Sequence, residues 1–141
     1  MSNSIARYLR LPLRRKRLLH AALTRLILVR IGLAVLPLQT LQRLSSRTSR
    51  HDLAGASLDE LRWALLAVAR RLPGTRCLPR ALALQGLLAR AGLAGQLCIG
   101  VAKDPGTALE AHAWVLHEGV PVLDEPELAR YSLLSIFPAK A

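Results

Sequence analysis

The chain has 141 residues, 52% of them apolar and only 4% aromatic. This allows one domain with a core of leucine, alanine and valine, and it excludes a disordered polymer. The net charge of +11 is placed at one end: residues 1–51 hold eleven Arg or Lys and no Asp or Glu, while the remaining ninety hold nine of each sign.

Such an excess suits an acidic protein, an anionic membrane face or a phosphate backbone. No aromatics are interleaved with the arginines for base stacking, which argues against nucleic acid as the partner. Cys77 and Cys98 are the only cysteines. They are too few for a disulfide scaffold and point to a reducing, cytoplasmic setting. No stretch reads as a signal peptide. Residues 26–38, LILVRIGLAVLPL, carry Arg30 inside and fall short of about 20 clean apolar residues. A buried or interfacial helix is expected there, and surface contact with an anionic membrane is compatible with it.

Residues 1–12 read as a loose lead-in. From Leu13 to Leu36, Leu19, Ala22, Leu23, Leu26, Ile27 and Arg30 recur at helical spacing, predicting one or two helices that Pro37 ends. A short helical piece and a polar linker follow to residue 56. This separates a basic leucine-rich segment, 1–56, from a core, 57–141, with the two packed as one compact unit.

Ser57 opens the next helix, with Glu60 completing a capping box and Leu61, Ala64, Leu65 and Val68 on one face. Arg70 and Arg71 suit its C-terminal end, and Leu72-Pro73-Gly74 stops it. Cys77 opens a further helix. Pro79 is tolerated in its first turn, its apolar surface is wide, and Gly92 fits the cap.

Then the period changes. Residues 96–101 predict a strand, 103–107 a turn, 111–116 a second strand and 120–124 a third. Between the last two, His117-Glu118-Gly119 forms a hairpin loop in which the glycine takes positive φ. Pro121 marks the third strand as short or open on one side. The tail reads as helical or irregular. Helices followed by a small antiparallel sheet make an α+β order.

Cys77, His112 and Asp124 stand in the order of a thiol hydrolase triad. A helix N-terminus presents unpaired N–H groups and a positive dipole end, both of which favour a thiolate there. The plain alternative is a cysteine packed among leucines. His112 alternates with Ala111 and Ala113, shares a face with Trp114 and Leu116, and has room to act as general base. An ordinary core or surface histidine is its rival reading. Asp124 would fix the imidazole tautomer; Glu125 and Glu127 are its neighbours and rivals, and Glu118 is too near the hairpin tip.

Register tests this triad. A three-residue loop, 117–119, sets Asp124 opposite His112 with Cβ atoms roughly 5 Å apart, whereas a two-residue loop sets Glu125 there. The triad therefore demands the three-residue loop or a bulge of the same effect. The Cys77 N–H is the natural oxyanion donor, with Gln85 or Gln96 as side-chain candidates. Cys98 reads as a core cysteine. His20 and His51 have no evident role, and His117 reads as loop surface. The wide spacing of Cys77, Cys98, His112 and Asp124 has no metal-site pattern. There is no phosphate loop or dinucleotide fingerprint.

Four segments carry a resemblance: RCLPRALAL at 76–84, AGLAGQLCIGV at 91–101, AHAWV at 111–115 and GVPVLD at 119–124. Residues 57–137 resemble the leader peptidases of lasso-peptide maturation, which have a transglutaminase-like, papain-like cysteine protease fold. The resemblance implies Cys77 as nucleophile, His112 as base and Asp124 as its orienter, with Glu125 standing in if the register slips. It implies removal of a leader peptide from a ribosomally made precursor before macrolactam formation. It also implies a small discrete leader-recognition protein and a macrolactam-forming cyclase as partners. ATP use is associated with such systems, yet no nucleotide site is visible in this sequence. The basic N-terminal helices would dock the recognition partner or acidic parts of a leader. The rival readings are a non-catalytic peptide- or membrane-binding module of the same fold and a thioester-forming acyl or amide transferase.

Overall fold

The computed structural model describes residues 2–46, 51–102, 106, 108–123 and 128–137. Five helices precede a four-stranded antiparallel sheet, in the expected α+β order. The helices are α1 (Ser2–Leu9), α2 (Leu13–Val35), α3 (Leu38–Ser46), α4 (Leu58–Ala69) and α5 (Cys77–Arg90). The strands are β1 (Gln96–Ala102), β2 (Glu110–His117), β3 (Val120–Pro121) and β4 (Ser132–Phe137), with a 3-10 turn at Leu128–Arg130.

Helix α5 is the axis of the molecule. Every residue from Ala81 to Leu88 is buried, as befits a helix enclosed on all sides. Helices α2, α3 and α4 pack on it, and so do β1 and β2. Its end is a Schellman motif: the Leu93 N–H donates to the Leu88 carbonyl at 2.8 Å and the Gly92 N–H to the Ala89 carbonyl at 3.0 Å. That geometry requires a left-handed residue, and Gly92 has φ 78°.

The capping box of α4 forms as expected, with the Glu60 N–H donating to Ser57 Oγ at 3.1 Å. Arg14 then joins the start of α2 to the start of α4, donating to the Gly55 carbonyl at 2.7 Å and to Glu60 Oε1 at 3.1 Å. On its inner side α2 buries Leu18, Ala21, Ala22, Leu26 and Val29 in the same apolar cluster as Leu61, Leu65, Leu82 and Leu87.

The sheet order is β3-β2-β1-β4. Alternation along the strands sorts their side chains. Leu97, Ala113 and Val115 join the helix-side core, with Ile99 packed against it. Cys98 pairs with Trp114, and Gly100 with His112, on the other face.

Three expectations are corrected. Residues 2–9 form a helix rather than a loose lead-in: Tyr8 lies against α2, its hydroxyl 2.6 Å from His20 Nε2. The tail contains an edge strand, β4, paired with β1. Its residues are almost all exposed and show no alternation of burial, so no strand signal reached the sequence pattern. The β2–β3 hairpin has a two-residue loop, because Leu116 pairs with Pro121 and His117 with Val120. Glu118 (φ 51°) and Gly119 (φ 80°) are both left-handed, as a type I′ turn needs. Of the expected turn at 103–107, only Gly106 lies within the described residues.

Candidate active site

Cys77 is the first residue of α5, half-buried at the margin of the apolar core. The chain enters the helix through Arg76, which is extended (φ −92°, ψ −178°) and offers no side-chain cap. Pro79 brings no N–H, and the first helical bond runs from the Arg80 N–H to the Arg76 carbonyl at 3.3 Å. The Cys77 and Leu78 amides are therefore the donors at this helix start.

His112 lies on β2, paired with Gly100 of β1. Its ring stacks on Tyr131 with centroids 5.1 Å apart and lies 5.9 Å from the Trp114 ring. Trp114 and Tyr131 are themselves 6.2 Å apart, so three rings form one cluster. Gly100 makes that cluster fit. A Cβ on it would stand 2.9 Å from the Trp114 ring and 3.0 Å from the Tyr131 Cβ. Both distances are inside normal van der Waals contact.

Tyr131 sits beside His112 next to two charged groups. Glu110, whose charge acts on the Tyr131 phenol, pairs with Arg130 at 3.3 Å. The phenol is pushed above its ordinary range, first by loss of solvent, then by the Glu110 charge and the hydrogen bond to it, against the pull of Arg130.

The three-residue loop that would set Asp124 opposite His112 does not form. With a two-residue loop, pairing along β2 continues only to the Val122 N–H on the Val115 carbonyl, at 3.0 Å. The chain then bends at Val122 and Leu123. Asp124, Glu125 and Glu127 lie outside the described residues. Extended without a bulge, the observed register would align His112 with residue 125.

Gln85 is corrected as an oxyanion candidate. It is fully buried, and its Nε2 donates to the carbonyls of Gly95 (2.9 Å) and Phe137 (3.0 Å) while Oε1 accepts from Gln42 at 3.3 Å. Both amide hydrogens are committed to structure. Gln96 is exposed and begins β1, at the far end of the strand from Gly100. His117, expected as loop surface, ends β2 with Nδ1 2.7 Å from the Ala94 carbonyl. Cys98 is buried as expected, and burial raises its thiol above the ordinary value. Among the described residues no three of His, Cys, Asp and Glu gather as a metal ion would need.

The sequence reading missed Tyr131, Glu110 and Gly100. One signal was available. The chain has only two tyrosines and two tryptophans, and one of those tryptophans follows His112 by two residues on the same strand face.

No curated protein and no solved structure matches the chain. A family profile described as the Transglutaminase-like superfamily matches residues 8–135, which spans helices α2 to α5 and nearly the whole sheet. A cysteine opening a central helix that packs on an antiparallel sheet, with a histidine on that sheet, is thus set in a chain that belongs to the transglutaminase-like superfamily.

Proposed function

We propose that this protein is a cysteine peptidase that removes the leader from a ribosomally made lasso-peptide precursor. The observation that carries the reading is the placement of Cys77 at the uncapped start of α5 and of His112 on β2, within a chain of the transglutaminase-like superfamily. The segments RCLPRALAL and AHAWV, which resemble the leader peptidases, supply the substrate class.

In this mechanism the Cys77 thiolate attacks the carbonyl carbon of the amide joining leader to core. The tetrahedral oxyanion accepts a hydrogen bond from the Cys77 amide. His112 gives its proton to the departing core amine as the C–N bond breaks, leaving a thioester. Water then adds to the thioester while His112 takes its proton. The C–S bond breaks, the leader leaves as a carboxylate and Cys77 returns as thiolate. Asp124, as the resemblance implies, holds the imidazole in the tautomer the base needs. The freed core amine becomes the nucleophile for ring closure by a cyclase, and a small recognition protein presents the leader. ATP, where the maturation system requires it, acts at another component.

The test is mass spectrometry of a candidate precursor incubated with the protein and its recognition partner, with and without Cys77→Ala. Leader release that vanishes in the variant is the expected result. A leader that gains the mass of an added amine instead of water would identify transfer chemistry through the same thioester. No Cys77-dependent product, from a folded protein bound to its partner, would overturn the enzyme reading.

A further inference from the structure

Helix α2 carries two opposed apolar faces. The inner one fills the core through Leu18, Ala22, Leu26 and Val29. The outer one recurs every four residues as Leu23, Ile27, Ile31 and Val35, with Leu28 beside it. All of these are exposed, from 39% at Leu23 to 72% at Val35. A surface helix of a soluble domain ordinarily turns polar residues outward. Here the outward side of the C-terminal half is aliphatic over about three turns, long enough to mark a contact surface.

The surrounding charge identifies what covers it. The same helix begins with Arg14-Arg15-Lys16-Arg17, and Arg17 and Arg30 are exposed along the outer side. No acidic residue occurs anywhere in residues 1–51. Protein hot spots favour tryptophan and tyrosine, and α2 itself has neither, Tyr8 and Trp63 lying beside only Leu23 of this face. An aliphatic face without hydrogen-bonding groups, flanked by arginine and free of any carboxylate, has the composition of a helix lying in an anionic lipid surface.

By length and composition α2 is also the one helix among the described residues apolar enough to cross a membrane. Crossing would strip Leu18, Ala22, Leu26 and Val29 from the core they share with α4 and α5 and would draw Arg25 and Arg30 into hydrocarbon. We infer that α2 docks the folded protein on an anionic membrane, lying in the plane of the surface with Leu23, Ile27, Ile31 and Val35 among the acyl chains.

The experiment is co-sedimentation of the full chain with phosphatidylcholine vesicles, with and without phosphatidylglycerol. The variants are Ile27→Gln with Ile31→Gln, and Arg17→Gln with Arg30→Gln. The wild type is expected to pellet with anionic vesicles only, less so at high salt, and each double variant to lose at least about tenfold in partition. Circular dichroism checks the fold. Should the isoleucine pair unfold the chain, Ile31→Ser alone replaces it, with a smaller loss expected. Soluble precursor cleavage by the isoleucine variant in the absence of vesicles is expected to be unchanged, which separates this inference from the proposed chemistry. A folded wild type that stays in the supernatant overturns it, as does binding indifferent to Ile27 and Ile31. So does a variant that loses the recognition protein while keeping its vesicle partition, since the face would then be a protein interface.

Discussion

Replacing Gln85 by leucine tests the architecture behind the site. The side chain is fully buried and makes three hydrogen bonds, two at 2.9 and 3.0 Å as donor and one at 3.3 Å as acceptor. Leucine fills nearly the same space but leaves the Gly95 carbonyl and the Gln42 amide buried without their partner, at about 1–3 kcal/mol each. The Phe137 carbonyl is only partly buried and can turn to water, so its loss costs about 1 kcal/mol. Against this, a buried leucine is favoured over a buried amide by about 1 kcal/mol. The net is a destabilisation of about 2–6 kcal/mol. In urea, with a slope of about 2 kcal/mol per molar, the midpoint should fall by about 1–3 M. Gln42→Leu in the same background should recover part of the loss, because it removes one orphaned group. A midpoint shift below about 0.3 M, or strict additivity of the two substitutions, would show that the glutamine pair does not hold α5 to the strands.

Gly100→Ala should leave the helices intact yet disturb the Trp114–Tyr131–His112 cluster. Near-ultraviolet circular dichroism should change, and cleavage should fall about tenfold or more as the histidine loses its position. Asp124→Asn should lower turnover by at least about a hundredfold and Glu125→Gln by far less, and the reverse ranking would assign the orienting role to Glu125. Iodoacetamide at pH 8 should label Cys77 and spare Cys98, as peptide mapping would show. The folded Cys98 thiol titrates above its unfolded value of 9.0. Its stabilising contribution is thus complete below that pH and is lost as pH rises through the folded value, a loss that Cys98→Ala should abolish in alkaline melts. Asp52→Asn should cost about 1 kcal/mol, since it removes the bidentate partner of Arg90 beside the half-buried Arg25, and urea titration would measure it.

What could be read from the chain depended on whether the signal was local. The capping box at Ser57, the proline in the first turn of α5 and the glycine at residue 92 each act within one helical turn. All three appear where the sequence put them. The places of Cys77 at a helix start and of His112 on a strand were legible for the same reason. The hairpin register was not, because it turns on whether a glutamate adopts positive φ, a conformation few non-glycine residues choose without tertiary support. Gln85 looked like an ordinary helix residue because its partners are carbonyls 10 and 52 positions away. Tyr131 joins the ring cluster only because β4 lies beside β1, and the exposed β4 sequence carries no pattern that announces it.

The strand order also sets a schedule for synthesis. β1 pairs with β2, which follows it closely, and with β4, which is made last of the four. A ribosome adding about 5–20 residues per second completes β2 a second or more before it completes β4. During that interval β1 has one satisfied edge and one open edge, and His112 lacks the ring on which it stacks. A nascent chain therefore carries Cys77 and His112 before it carries Tyr131. Completion of the ring cluster waits on residues 131–137, and a chaperone that shields the open edge of β1 would be needed most before they emerge.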